Sequence, residues 1–356
     1  MLRTSILSTL VSAQVKNSAV ESILIDTKCD ASQFTHLIGQ QPLVSIIIPC
    51  WNAEAFIGEA IESALAQTYP NVEVIVIDDG STDGSLDVIR SYGERIRWVT
   101  GENRGGGAAR NRGIELARGE LVQFLDADDA LSPNKLTLQV PVALESTAEL
   151  VYCDYRTVDS QGNPIAGLQA PVTVSDDSVC FILANYGLAT SCLLHWRETL
   201  QQIGGFRPAL RCSQERDLHL RLACAGARFR HLKETLFTVR DVPGSVSSNF
   251  IDILDQHSDI AWTAWHLLSS AGSLTEARRV ALAGFLARDA RAYLKRGFKE
   301  KARSYFAQAR EMHPGGGLDL AYGPRTRRLV SVTGPVLLEN LLTFVRAIGS
   351  MRGANP

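Results

Sequence analysis

Three short apolar runs in the first half of the chain share one shape, an apolar stretch that stops abruptly in polar or acidic residues. "LVSIIIPC" leads into Trp51, Asn52 and Glu54, "VEVIVIDDG" ends in Asp78 and Asp79, and "ELVQFLDADD" ends in Asp126, Asp128 and Asp129. Between them the period changes. "AEAFIGEAIESALAQ" repeats its apolar positions at helical spacing, "SLDVIRSY" predicts a short helix and "IRWVT" a short strand. "GGGAARNRGIELARG" predicts a Gly-rich entry to a helix that Gly119 closes. Short apolar runs bounded by turn residues predict buried strands. Their alternation with helices predicts an α/β fold, a mainly parallel, Rossmann-like sheet with helices on both faces.

Past Pro133 the pattern predicts a helix over "NKLTLQVPVAL", a strand over "AELVYCDYRTVD" and a turn-rich loop over "SQGNPIAG". Residues 169–185 show no assignable period. "ATSCLLHWRETLQQIGGF" predicts strand, then helix, then a Gly-Gly stop. "SQERDLHLRLACAGAR" predicts a helix with Gly226 as its C-terminal cap, and "FRHLKETLFTVR" the next strand. From Ile251 onward the signal is helical. The chain therefore divides into an N-terminal extension (1–41), an α/β domain (42–250) and an all-α C-terminal region (251–356).

Composition narrows the functions available. A length of 356 residues suits two domains at about 150 residues each. Hydrophobic residues at 45% and charged residues at 21% describe a folded chain, and a net charge of -2 supplies no footprint for nucleic acid. The seven cysteines (Cys29, Cys50, Cys153, Cys180, Cys192, Cys212 and Cys224) are odd in number and never spaced Cys-x-x-Cys, which fits free thiols in a reducing cytosol. The first 23 residues lack the apolar core and cleavage site of a secretory signal. No run reaches the roughly 20 apolar residues of a membrane span. Residues 329–351 come nearest but carry Pro335, Glu339, Asn340 and Arg346. They predict an amphipathic helix that packs on the protein or makes a peripheral contact with a membrane or a protein partner. The expected location is the cytoplasm, including the inner face of the membrane.

Ligands of open α/β sheets sit in the crevice outside the carboxyl ends of the strands, where the three polar strand ends fall together. Asp126 and Asp128, spaced Asp-x-Asp, suit a hard divalent cation, Mg²⁺ or Mn²⁺, which takes one or two carboxylates and completes its shell with water and phosphate oxygens. The bland alternative is an acidic turn in which Asp129 or Ser132 caps the next helix. Asp78 and Asp79 likewise stand in turn chemistry, with Ser81 or Asp83 placed to cap the helix at Ser85. Yet Asp79 could also accept from a base imide N–H, which favours uracil or thymine over cytosine. The glycines at 105–107 do not complete a dinucleotide fingerprint, because Arg110 stands where the last glycine belongs. Arg104 and Arg110 are candidates for base or phosphate, or plain surface arginines. The seven histidines include no close pair on one helical face, so no zinc site is expected. His219 is expected to be packed rather than catalytic. A Ser-His-Asp hydrolase lacks its Gly-x-Ser-x-Gly elbow.

"SIIIPCWNAEAFIGEAIESALAQTYPNVEVIVIDDGSTDGS", "NRGGGAARNRGIELARGELVQFLDADD" and "QERDLHLRL", together covering residues 43–240, resemble the successive signatures of inverting family 2 glycosyltransferases with the GT-A fold. The resemblance implies a nucleoside-diphosphate sugar donor, UDP- or dTDP-linked, and a saccharide or lipid-linked acceptor. It implies that Pro49, Trp51 (tyrosine in most of the family) and Glu54 line the base and ribose pocket and that Asp79 binds the base. Asp126 would reach ribose or sugar, and Asp128, with Asp126, the Mn²⁺ or Mg²⁺. The family's acidic pair is Gln214-Glu215 here, and His219 replaces its tryptophan. Glu215 inherits the role of general base, with Asp217 as the fallback.

"DARAYLKRGFKEKARSYFAQAREMHP" resembles one tetratricopeptide repeat, within about residues 282–314, through Ala290, Tyr293, Gly297, Ala302, Phe306, Ala309 and Pro314. One repeat cannot bury its own apolar face, so it must pack on neighbouring helices or on the α/β domain. Two other classes compete with the transferase. The Gln-Glu departure suits a non-catalytic nucleotide-sugar-binding or scaffold protein. A nucleotidyltransferase, which would release pyrophosphate, lacks its early Gly-rich triphosphate loop.

Overall fold

The central strand β1 (Val44–Cys50) is buried along almost its whole length, because it has a parallel neighbour on each side and helices above and below. Full burial of Ile46, Ile47 and Ile48 contributes about 1.5–3 kcal/mol for each side chain. This is a computed structural model, and it describes residues 41–145, 149–165, 175–185, 188–242, 250–339 and 342. Residues 1–40 of the N-terminal extension, including Cys29, lie outside the described residues. So do most of the chain beyond Glu339 and much of the predicted helix over 329–351.

After β1 come α1 (Ile57–Leu65), β2 (Val72–Asp78), α2 (Ser85–Ser91), β3 (Arg97–Thr100), α3 (Gly106–Leu116) and β4 (Leu121–Phe124). Then follow β5 (Ala130–Leu131), α4 (Lys135–Leu144), β6 (Glu149–Val158), α5 (Ser178–Ala184), β7 (Leu193–Trp196), α6 (Arg197–Gln202), α7 (Gln214–Cys224) and β8 (Arg228–Arg240). One sheet holds all the strands in the order β3-β2-β1-β4-β7-β6-β8-β5. The β3-β2-β1-β4 half is parallel, as the apolar runs predict. Beyond β4 the sheet is mixed: β7 runs antiparallel to both β4 and β6, and β5 antiparallel to β8. Strand direction depends on how the chain crosses over between strands, which the local period does not encode.

Two glycines expected to stop helices act differently. Gly226 has φ +98, and its neighbours close the helix end with Gly226 N–H to Ala223 O at 3.0 Å and Ala227 N–H to Leu222 O at 3.0 Å. Gly119 is no cap, since α3 has already ended at Leu116. A Cβ there would lie 2.5 Å from Leu43 O and 2.7 Å from Ser45 N, so Gly119 lets the chain pass against the backbone of β1. Within the stretch that showed no period, α5 forms behind an N-cap in which Asp177 Oδ1 accepts from Cys180 N–H at 3.0 Å. Its run of buried apolar residues has no polar face from which to read a period.

The helical region begins with α8 (Phe250–Ser270), followed by α9 (Glu276–Lys295), α10 (Lys299–Met312), α11 (Leu318–Ala321) and α12 (Pro324–Thr333). Helices α9 and α10 form a hairpin, and Ala290, Tyr293, Ala302, Phe306 and Ala309, the positions at repeat spacing, are buried. Tyr293 and Tyr305 stack edge to face at 5.1 Å, and the Tyr293 hydroxyl donates to Asp255 of α8 at 2.6 Å. The face that one repeat leaves open is covered by α8 and by α11. No described helix is long and apolar enough to cross a membrane.

Candidate active site

The parallel register sets Cys50 beside Asp78 and Asp78 beside Thr100, so the carboxyl ends of β1, β2 and β3 lie level. The loops leaving β1 and β2 are stitched together. Asn52 takes a left-handed conformation with φ 49; its Oδ1 accepts from Thr82 N–H at 2.8 Å, and its own N–H donates to Ser81 Oγ at 3.0 Å. Glu54 Oε2 accepts from Gly84 N–H at 3.0 Å. The Ser81 hydroxyl therefore serves the loop and caps nothing, while Asp83 Oδ1 accepts from Ser85 N–H at 3.0 Å. Pro49 is half-buried, and the Trp51 side chain stands 55% exposed on the rim, a large aromatic face open to a ligand.

Asp78 and Asp79 do more than make a turn. Asp78 accepts from the Thr100 hydroxyl at 2.6 Å. Asp79, buried, accepts from Arg104 N–H at 2.9 Å and from Gly105 N–H at 2.8 Å. It thereby fixes the Gly-rich turn that opens α3, and the Arg104 side chain is left exposed. An ionised carboxylate offers about four lone-pair sites, so two such bonds leave Asp79 able to accept more.

Arg110 of α3 joins the two halves of the cleft. Its Nη2 lies 2.5 Å from Asp126 Oδ1, and its Nη1 donates to Gln214 Oε1 at 3.0 Å. Its guanidinium lies 5.4 Å over the Phe206 ring. The two elements pass closely here, since a Cβ at Gly107 would meet the Gln214 side chain at 3.2 Å. The next residue, Glu215, is half-buried and makes no side-chain hydrogen bond or ion pair among the described residues. Asp217 is the opposite case. It is buried, with Arg221 Nη2 2.7 Å from one oxygen. Arg207 Nη2 lies 2.6 Å from the other, off the line of a hydrogen bond but in charge contact. Both of its oxygens thus lie against arginines.

Beyond β4 three carboxylates crowd together. Burial, reinforced by the neighbouring Asp126 charge, pushes the Asp128 carboxyl up to about 6. The same causes push Asp129 well above its ordinary value. Asp129 does not cap α4. It accepts from Arg240 N–H at 3.1 Å and from the Ser191 hydroxyl at 3.4 Å, while the Arg240 side chain reaches back to Glu59 at 2.5 Å. Arg240 and Ser191 escape a reading of the sequence because they lie 111 and 62 residues from Asp129. Asp126 and Asp128 are the oxygen donors available here to a hard cation, and their mutual repulsion is what a divalent charge relieves. Among the described residues, no three His, Cys, Asp or Glu side chains form a metal cage by themselves. His195 and His219, fully buried and 5.8 Å apart, belong to the core.

The sequence profile of glycosyl transferase family 2 matches residues 45–203. An uncharacterized glycosyltransferase of Rickettsia prowazekii (strain Madrid E) is 32% identical over 230 residues, which are 63% of this chain and 71% of that protein. The putative teichuronic acid biosynthesis glycosyltransferase TuaG of Bacillus subtilis (strain 168) is 34% identical over 214 residues, 59% of this chain and 83% of TuaG. Among solved structures, S. aureus TarS 1-349 in complex with UDP-GlcNAc superposes with a TM-score of 0.63 at 20% identity, over 84% of this chain and 90% of that one. At that identity the superposition shows a shared fold.

Proposed function

This chain belongs to glycosyl transferase family 2, and from that premise we propose that it moves a sugar from a UDP- or dTDP-sugar to a hydroxyl of a saccharide or lipid-linked acceptor, with inversion at the anomeric carbon. The observation that carries the reading is Arg110, which bridges Asp126 on the donor side to Gln214, the residue before Glu215. That bridge supports a reading in which donor carboxylates and candidate base face one cleft. Trp51, Pro49 and Glu54 form its nucleoside side, where Asp79 retains lone pairs for the N3–H of uracil or thymine. Arg104 stands exposed beside it for the phosphates.

Asp128, with Asp126, would hold Mn²⁺ or Mg²⁺, which supplies the positive charge that balances the departing diphosphate. Glu215 is then left to accept the proton of the acceptor hydroxyl as that oxygen attacks the anomeric carbon. It stands in the first turn of α7, and it acts by its placement beside the acceptor hydroxyl. In-line attack opposite the departing diphosphate inverts the centre.

A panel of nucleotide sugars, melted with and without Mn²⁺, identifies the donor, because a bound ligand raises the melting temperature by mass action. With that donor, Glu215→Gln should keep binding and lose transfer by about 100-fold or more. Wild-type transfer in Glu215→Gln would remove the base from this position.

A further inference from the structure

Ser213, the residue before α7, has the side chain that most often caps a helix N-terminus, yet it caps nothing. Its backbone is left-handed at φ 54, a conformation that costs a residue bearing a Cβ, and its hydroxyl is turned away from the helix. The hydroxyl instead meets His257 Nε2 of α8 at 3.2 Å, and His257 Nδ1 meets Asp289 Oδ2 of α9 at 2.8 Å. In the tautomer that donates Nδ1–H to the carboxylate, Nε2 accepts from the Ser213 O–H. All three residues are buried. The neighbouring residue of α8 repeats the contact: Gln256 Oε1 accepts from Cys212 N–H at 3.4 Å, and Gln256 Nε2 donates to Cys212 Sγ at 3.2 Å.

From this we infer that the helical region positions the catalytic helix. Asp289 and His257 pull Ser213 into a strained conformation at the start of α7, and that conformation sets the direction in which Glu215, two residues on, enters the cleft. The inference rests on the reading of Glu215 as base. Ser213 is a positioning residue: its hydroxyl is packed against α8, and an acyl carbon could not reach it without unpacking that helix.

Ser213→Gly is the informative variant, because glycine adopts the left-handed backbone without strain, so the fold survives while the hydroxyl is lost. Turnover is read as nucleoside diphosphate release from the UDP- or dTDP-sugar that raises the melting temperature most. The expected result is a fall in kcat of about 10- to 100-fold with the donor KM within about two-fold of wild type. His257→Ala should behave alike. His257→Gln, whose amide reaches the Ser213 hydroxyl, should recover much of the loss. Hydrogen exchange on the free protein gives a readout that needs no donor: in Ser213→Gly it should quicken in the first turn of α7 and not along β1. Unchanged kcat, or unchanged exchange at 214–217, overturns the inference. Covalent labelling of Ser213 by a fluorophosphonate would also overturn it, by showing a nucleophile. Were Glu215→Gln to transfer at the wild-type rate, the reading of the base would fail, whatever Ser213→Gly does.

Discussion

Asp128 shows how one side chain can be held against its own ionisation. Burial, and then the Asp126 charge, lift its carboxyl from the ordinary 3.8 to about 6. The folded protein therefore binds that proton more tightly than the unfolded chain, and ionised Asp128 opposes folding. The stability that protonated Asp128 contributes is full below pH 3.8 and is lost as pH rises from 3.8 through 6. Asp128→Asn should raise the stability of the metal-free protein at pH 7 by about 1–3 kcal/mol in urea melts. The same variant should lower turnover by about 100-fold or more. Equal stability of variant and wild type would mean that Arg110 and Arg240 already neutralise the site. His195 has the reverse sign. Burial first, and the Lys135 charge second, push its imidazole down to about 3, so it stays neutral in the fold while the unfolded chain protonates near 6.5. Its contribution is complete above 6.5 and is lost as pH falls toward 3. Between pH 6.5 and pH 5 that loss is about 2 kcal/mol, and His195→Leu should remove it from the pH dependence of unfolding measured over the same range.

Elements are placed by close approaches that no single residue announces. Gly119 permits the chain leaving α3 to cross β1, and at Gly107 α3 passes close to the start of α7. Gly119→Ala would drive a methyl group into the Leu43 carbonyl and the Ser45 N–H, backbone atoms that cannot rotate aside. A cost of about 1–3 kcal/mol in thermal or denaturant melts is expected. Stability equal to wild type would mean that β1 yields to the connecting chain. Of these elements the strands β1, β2 and β4 were legible from their short apolar runs, and α7 from its period and from Gly226. The short apolar α5 was not, because burial on every side erases the polar face that reveals a helix. The reversed directions of β5 and β7 were not legible either, since antiparallel and parallel strands share one local pattern.

At the scale of the whole molecule, the helical region packs directly on α7 and the residues before it. Arg207 spans Asp217 of α7 and Asp259 of α8 at 2.6 and 2.8 Å, and the Arg216 guanidinium lies 5.6 Å over Phe285 of α9. A fragment ending at Asp241 would expose the faces that α8 and α9 cover and leave Arg207 without Asp259. It should melt at a lower temperature than the full chain and associate, as read by calorimetry and light scattering. A fragment as stable and monomeric as the full chain would make the helices an appendage. The sequence by itself determined the buried strands, the acidic strand ends and the family, because hydrophobic period and signature spacing are local properties. Only the tertiary structure decided that Arg110 links Asp126 to Gln214, that Asp217 is enclosed, that Arg240 closes on Asp129, and that His257 and Asp289 reach Ser213. Each of those contacts joins residues tens of positions apart or selects one partner among several, and packing alone makes that selection.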